Sequence, residues 1–445
     1  MQNIVMRKEN CNNMKSLKIK KAEILSEIID AFDPSPLSEM NLSEFYYDNT
    51  MFIRTGHEHS SPLNKLFTYC TMSSRTKAHL LIGHGGCGKS TELFNLERRF
   101  KKVGHPVHIY RTDLEVNLFL AECWDIMLLI TEGLCNVAKE NGINIPDKIL
   151  REVFDYMNKD MEEIDVVESS ASLDMGVMLT LFASIKSNLK LGTQTRSIIK
   201  EKIEKRGSEW MRYIREISDR ITDEMEGRRP ILIFEGFDRL QPPERAFEIF
   251  RNDILSQMPF PIIYTFPISL TYDSPYTALE SFYEVHFLPM IKVSNADKSQ
   301  NDQGIEVMHN IVKLRADLKL FDENALIELI KRTGGVLRHL FDCITEASLL
   351  AMWRGGDKIE MSDAQRALAD LSSTLTKRIS ERDNDMLVRI FDNLNDRTGI
   401  RDRESLLRQM QALVVLEYQN GERWHDLHPL IAEFLVKQGV INDES

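Results

Sequence analysis

Eight residues, Gly83-His84-Gly85-Gly86-Cys87-Gly88-Lys89-Ser90, fit the spacing GxxxxGK[ST] in full. Glycines in such a run let successive backbone N–H groups curl around a β-phosphate without side-chain interference. The start of the following helix adds about half a positive charge. Lys89 is placed to bridge β- and γ-phosphates, Ser90 to ligate Mg²⁺, and Thr91 to touch an α-phosphate. The ligand these residue types ask for is a nucleoside triphosphate, ATP with Mg²⁺.

Such a loop needs a second strand that delivers an acid to the metal side. Ile231-Leu232-Ile233-Phe234-Glu235 has that form, which makes Glu235 the metal-side carboxylate. The next residue, Gly236, has no side chain with which to activate water. Asp238 is the remaining acid for that work, and it reads equally as a helix N-cap. Hydrolysis is therefore expected to be slow. In Arg332-Thr333-Gly334-Gly335-Val336-Leu337-Arg338, two glycines precede a helix whose first turn presents Arg338. A guanidinium there reaches phosphate oxygens with fork geometry.

Other candidates carry less. His57 with His59, and His425 with His428, lack a Cys or His partner at metal-ligand spacing, and the six cysteines form no CxxC pair. Zinc and a disulfide framework are both disfavoured. A net charge of -12 disfavours a dedicated nucleic-acid binder, whose affinity comes from neutralised phosphates, and leaves only a local basic face open. No run approaches the roughly 18 apolar residues of a membrane span, and the Lys-rich start is not followed by an apolar signal core, so a cytoplasmic chain is expected.

The elements that must position these residues can be read from periodicity. Strands are expected at Lys77–Ile82, Val107–Tyr110, Ile231–Phe234 and Pro261–Phe266, with helices between, which implies a parallel sheet covered on both faces. Ala121–Lys139 reads as a helix. The alternation Met175, Val177, Leu179, Leu181, Ala183, Ile185 suggests a hairpin, and Thr195–Glu226 one long helix with eight bases and eight acids from Arg196 on. Helical spacing dominates from Gly304 to Leu371. Near the end come helices, then Val414–Tyr418, Asn420-Gly421 and Arg423–Asp426, a hairpin with a tight primed turn. Helix, helix, hairpin is the outline of a winged helix.

The segments Gly83–Leu93, Ile231–Leu240, Tyr264-Thr265-Phe266-Pro267, Gly334–Arg338 and Trp424-His425-Asp426-Leu427-His428-Pro429 together resemble bacterial P-loop ATPases of the AAA+ and STAND (signal-transduction ATPase) group. The lid resembles that of origin-recognition initiators. By this resemblance Thr265 falls at the polar sensor ending the fourth strand and Arg338 at the second sensor. Two departures stand out. Glu235 replaces the usual Asp, and no arginine occurs between Arg251 and Arg315, the interval that holds the finger of ring-forming members; Lys292 is a weak substitute.

The expected architecture is an α/β P-loop NTPase with a parallel sheet, a helical lid and a C-terminal winged-helix domain. Residues 1–44 form a loosely attached lead-in, 45–300 the P-loop domain with an insertion at about 115–227, 301–370 the lid, and 371–445 the winged-helix-like part. The expected function is a slowly hydrolysing, nucleotide-gated regulatory or signalling switch, in bacterial stress response or phage defence by the resemblance. An initiator-like DNA-binding ATPase and a non-hydrolysing ATP-binding scaffold are the alternatives. Because residues 371–445 hold ten bases and thirteen acids, a protein partner at the winged module is favoured over DNA, with Trp424 near Tyr418 as its anchor; self-association stays open.

Overall fold

A computed structural model describes residues 18–37, 39–48, 50–57, 61–158, 174–190, 195–392 and 403–441. His59, one member of the first histidine pair, lies outside them. The described residues fall into two compact units, one within Pro62–Gly83 and Leu96–Phe287, the other within Met1–Ser61, His84–Asn95 and Leu288–Ser445.

The first of these carries the sheet. Strands β1 (Ala78–Gly83), β2 (Val107–Arg111), β3 (Ile231–Glu235), β4 (Ile262–Pro267) and β5 (Tyr283–Phe287) are all parallel, in the order β2-β3-β4-β1-β5. β1, β3 and β4 are buried along their whole lengths, which is why they read as continuous apolar runs. β5 was not expected from the sequence; it has buried and half-buried positions at the sheet edge. A parallel sheet whose first strand runs through a GxxxxGK[ST] loop into a helix, here Lys89–Lys102, is an α/β P-loop fold. In such sheets ligands bind beyond the carboxyl ends of the strands.

The helix Cys123–Glu140 covers the sheet near β2 and β3: a Cβ at Gly133 would lie 3.0 Å from the Tyr110 ring and 3.2 Å from Leu232, so a larger residue would push the helix off. Residues 175–190 are one helix, Met175–Lys190, and the expected hairpin is corrected. Met178, Leu181, Phe182 and Ile185 are each 0% exposed and share helical spacing, whereas Ala183 of the alternating set is exposed. Burying four such side chains on one face, at roughly 1.5–3 kcal/mol each, outweighs a coincidental period of two. The long helix Thr195–Glu224 is kinked at Arg206 (φ -133°, ψ 22°), just before Gly207-Ser208, a pair of the kind that kinks helices.

The second unit is helical, with Asp302–Arg315, Glu323–Arg332, Leu337–Trp353 and Met361–Thr376 followed by Asn384–Phe391, Arg403–Gln411, the hairpin β6 (Val415–Asn420) and β7 (Glu422–Leu427), and Pro429–Lys437. The lead-in is not loose where it is described. Ala22, Ile28, Ala31 and Phe32 are each 0% exposed, Ala22 bridges to Ala316, and Phe32 meets Phe341 edge-on at 5.4 Å. Its apolar residues were too sparse to show a period, and only the helices they cover reveal their face.

The hairpin is present, but its turn is not the expected two-residue one. Asn420 pairs with Glu422, so the reversal centres on Gly421 (φ +76°). Among the described residues no helix is long and apolar enough to cross a membrane.

Candidate functional site: the phosphate loop and its neighbours

The loop begins where β1 ends, and its glycines differ in what they face. Gly86 (φ +76°) and Gly88 (φ +101°) adopt the left-handed conformation that side chains resist. A Cβ on Gly86 would stand 2.8 Å from the Arg338 Cβ, and one on Gly88 would stand 3.4 Å from Leu337. The loop is thus packed on the first turn of the helix Leu337–Trp353. A Cβ on Gly85 would meet nothing within 4 Å, so this is the open side of the loop. Lys89 is 5% exposed and its amine donates to the His84 carbonyl at 2.9 Å, closing the loop on itself. Thr91 Oγ1 accepts from the Leu37 N–H at 3.4 Å. Arg338 is exposed at the helix start.

His84, the second residue of the loop, is 1% exposed, and its Nε2 accepts from the Glu417 N–H on β6 at 2.8 Å. Burial, with the charge of Lys89 nearby, pulls its pKa down to about 3. The ring is neutral.

Sequence reasoning missed Arg54. It belongs to the helix Met51–Thr55 and is 1% exposed, with its guanidinium donating to the Cys87 carbonyl at 2.9 Å and the Pro289 carbonyl at 2.5 Å. A lone arginine directly after Met51-Phe52-Ile53 and two positions before Gly56 was the local signal. Buried guanidinium groups must be held by oxygens, and here the phosphate loop supplies one.

In the sheet unit, Glu235 ends β3 at 1% exposure and pairs with Arg239 at 2.6 Å; Arg239 also pairs with Asp113 at 2.9 Å. Gly236 (φ +113°) turns the chain after β3, and its N–H donates to Thr265 Oγ1 at 3.0 Å. The Thr265 hydroxyl, 0% exposed, therefore ties the end of β3 to β4. Asp238 lies inside the short 3-10 turn Phe237–Arg239, whose N-cap is Gly236, so Asp238 does not cap it. Glu235, Gly236 and Thr265 are brought together at the carboxyl ends of β3 and β4.

Other expectations meet different outcomes. His428 caps the helix Pro429–Lys437, accepting from the Leu430 N–H at 3.3 Å, and its other ring nitrogen lies 3.1 Å from His339. Among the described residues no group of three or more His, Cys, Asp or Glu could hold a metal ion. Lys292 cannot stand in for an arginine finger: it is 4% exposed, donates to the Gln419 carbonyl at 2.7 Å, and sits 5.9 Å from the Trp424 ring centre. Tyr418 stacks on Trp424 at 5.5 Å and donates its hydroxyl to the Gly334 carbonyl at 2.8 Å.

No protein-family model and no curated protein matches the chain. Similar solved structures include a Walker-type ATPase of Pyrococcus abyssi, at 16% identity over 91% of this chain and 99% of that one, with a TM-score of 0.43. Cdc6p from Pyrobaculum aerophilum is similar at 12% identity over 92% and 97%, TM-score 0.37. The Aeropyrum pernix ORC1 protein, solved in complex with DNA, is similar at 13% identity over 85% and 92%, TM-score 0.35. The fold assignment rests on the sheet order and the loop themselves.

Proposed function

We propose that this chain is a P-loop ATPase of the AAA+ and STAND type that works as a nucleotide-gated regulatory switch. The observation that carries this reading is the packing of the loop's Gly86 on the first turn of the helix that begins at Leu337, where Arg338 stands exposed next to a GxxxxGK[ST] loop. Gly83, His84, Gly85, Gly86, Cys87 and Gly88 supply the backbone cradle. Lys89 and Arg338 neutralise the phosphates, and Thr91 turns to the α-phosphate. By their residue types Ser90 and Glu235 are the hydroxyl and the carboxylate that would hold Mg²⁺, which would supply charge neutralisation at the transferred phosphate. Thr265 keeps the end of β3 in place, and Asp238 orients water.

Turnover is slow in this reading, for two reasons. Gly236 has no acid to offer, and the Glu235 carboxylate is already engaged by Arg239. The same pairing favours, as a second reading, a scaffold that binds ATP without releasing phosphate. The terminal helices and hairpin act as a winged-helix-like module that presents a surface to a protein partner, because their acids outnumber their bases.

The test is thermal stability and phosphate release with Mg²⁺-ATP. Saturation at about a thousand times the dissociation constant adds roughly 4 kcal/mol to the wild type, and Lys89→Ala loses most of it. No stabilisation of the wild type, or the same stabilisation in the variant, overturns the nucleotide reading; stabilisation without phosphate release selects the scaffold.

A further inference from the structure

The C-terminal hairpin stands alone as a two-stranded sheet, so both its strands are edges with outward amides that need partners. Glu417 sits in the middle of β6, opposite His425, and sends its N–H out of the ladder to Nε2 of His84 at 2.8 Å. An imidazole nitrogen that accepts carries no proton, so the neutral ring's hydrogen is on Nδ1. The carbonyl of the same His84 accepts from the Lys89 amine at 2.9 Å. One residue of the loop is therefore gripped at both ends, by the loop's lysine through its carbonyl and by the hairpin through its side chain.

We propose that His84 is a positioning residue that couples the phosphate loop to the terminal hairpin, so that nucleotide binding and hairpin docking strengthen each other. The proposal rests on the nucleotide reading above and names how that site is regulated. An ammonium has three donors, so Lys89 can keep the His84 carbonyl while it takes phosphate oxygens. Phosphate that orders Lys89 then orders the His84 backbone, and with it the ring that holds Glu417. Linkage makes the effect reciprocal: whatever loosens the hairpin at Glu417 weakens ATP by the same factor. Further bonds hold the hairpin, from Tyr418 to Gly334, from Lys292 to Gln419, from Gly421 to Thr55 and from Lys298 to Asp426, so the hairpin stays seated while this one contact is varied.

Backbone hydrogen exchange of the intact chain, with and without Mg²⁺-ATP, tests this alongside calorimetric ATP binding. In the wild type, ATP should slow exchange in residues 415–420 about tenfold, the size of a buried hydrogen bond kept or left unmade. His84→Leu, which removes the acceptor, should weaken ATP about tenfold and leave exchange in 415–420 indifferent to ATP. His84→Gln places an oxygen near the same amide and should restore most of both effects, which a merely structural role would not predict. If the wild type binds ATP and exchange in 415–420 does not respond, the coupling is overturned whether or not His84→Leu folds; an ATP response retained in His84→Leu overturns it too. If the wild type binds no ATP, the nucleotide reading itself falls, and the coupling with it.

Discussion

Gly85 and Gly86 are neighbours of the same residue type, yet replacing each with alanine should have opposite consequences. At Gly86 the new Cβ would sit at φ +76°, 2.8 Å from the Arg338 Cβ and 3.3 Å from Val336. The left-handed backbone costs a side chain about 1–2 kcal/mol, and crowding a packed contact adds typically 1–3 kcal/mol. Gly86→Ala should therefore lose about 2–5 kcal/mol with no nucleotide present. At Gly85 the φ carries no penalty and the Cβ meets nothing within 4 Å. Gly85→Ala should keep its stability within about 0.5 kcal/mol, but its methyl group narrows the open side of the loop and should remove most of the gain from Mg²⁺-ATP. Urea unfolding with and without Mg²⁺-ATP separates the two effects. A Gly86→Ala variant as stable as the wild type would refute the packing of the loop on the helix at Leu337, and a Gly85→Ala variant that keeps the full ATP gain would refute the open side as the phosphate site.

Two predictions concern protons. Glu235→Gln and Asp238→Asn should each suppress phosphate release while ATP still stabilises the chain; normal single-turnover release by Asp238→Asn would remove Asp238 from the chemistry and leave Glu235 as the sole acid. Burial holds the pKa of His84 down at about 3 and of His339 and His425 at about 4, against an ordinary value of 6.5. The unfolded chain therefore takes up more protons than the folded one as pH falls through this range. Their contribution is complete above about pH 6.5 and is lost between there and about pH 4 for His339 and His425 and about pH 3 for His84, at up to about 1.4 kcal/mol per pH unit for each ring. Urea midpoints that stay level from pH 7 to pH 4.5 would show that these rings are not buried neutral.

The phosphate loop, four of the five sheet strands and the helices that follow Gly304 were legible because each is a local pattern. A glycine spacing, a run of apolar residues or a period of 3.6 is set by neighbours in the chain, and backbone geometry then dictates the element. Glu235 could be picked out at a strand end for the same reason, whereas Thr265 was reached only through the family resemblance. Where two periods overlapped, as in Met175–Lys190, the sequence was ambiguous, and the burial of Met178, Leu181, Phe182 and Ile185 decided for a helix. What only the tertiary structure decided is how the loop is held. Arg54 reaches Cys87 across 33 positions and Pro289 across 235, and His84 meets Glu417 across 333. A buried guanidinium, an edge amide and a neutral imidazole each need a partner, but the sequence does not say which one, because any carbonyl or acceptor brought within about 3 Å will serve. Only the packing of distant segments makes that choice, and it is what attaches the terminal hairpin to a loop that the sequence presents as complete by itself.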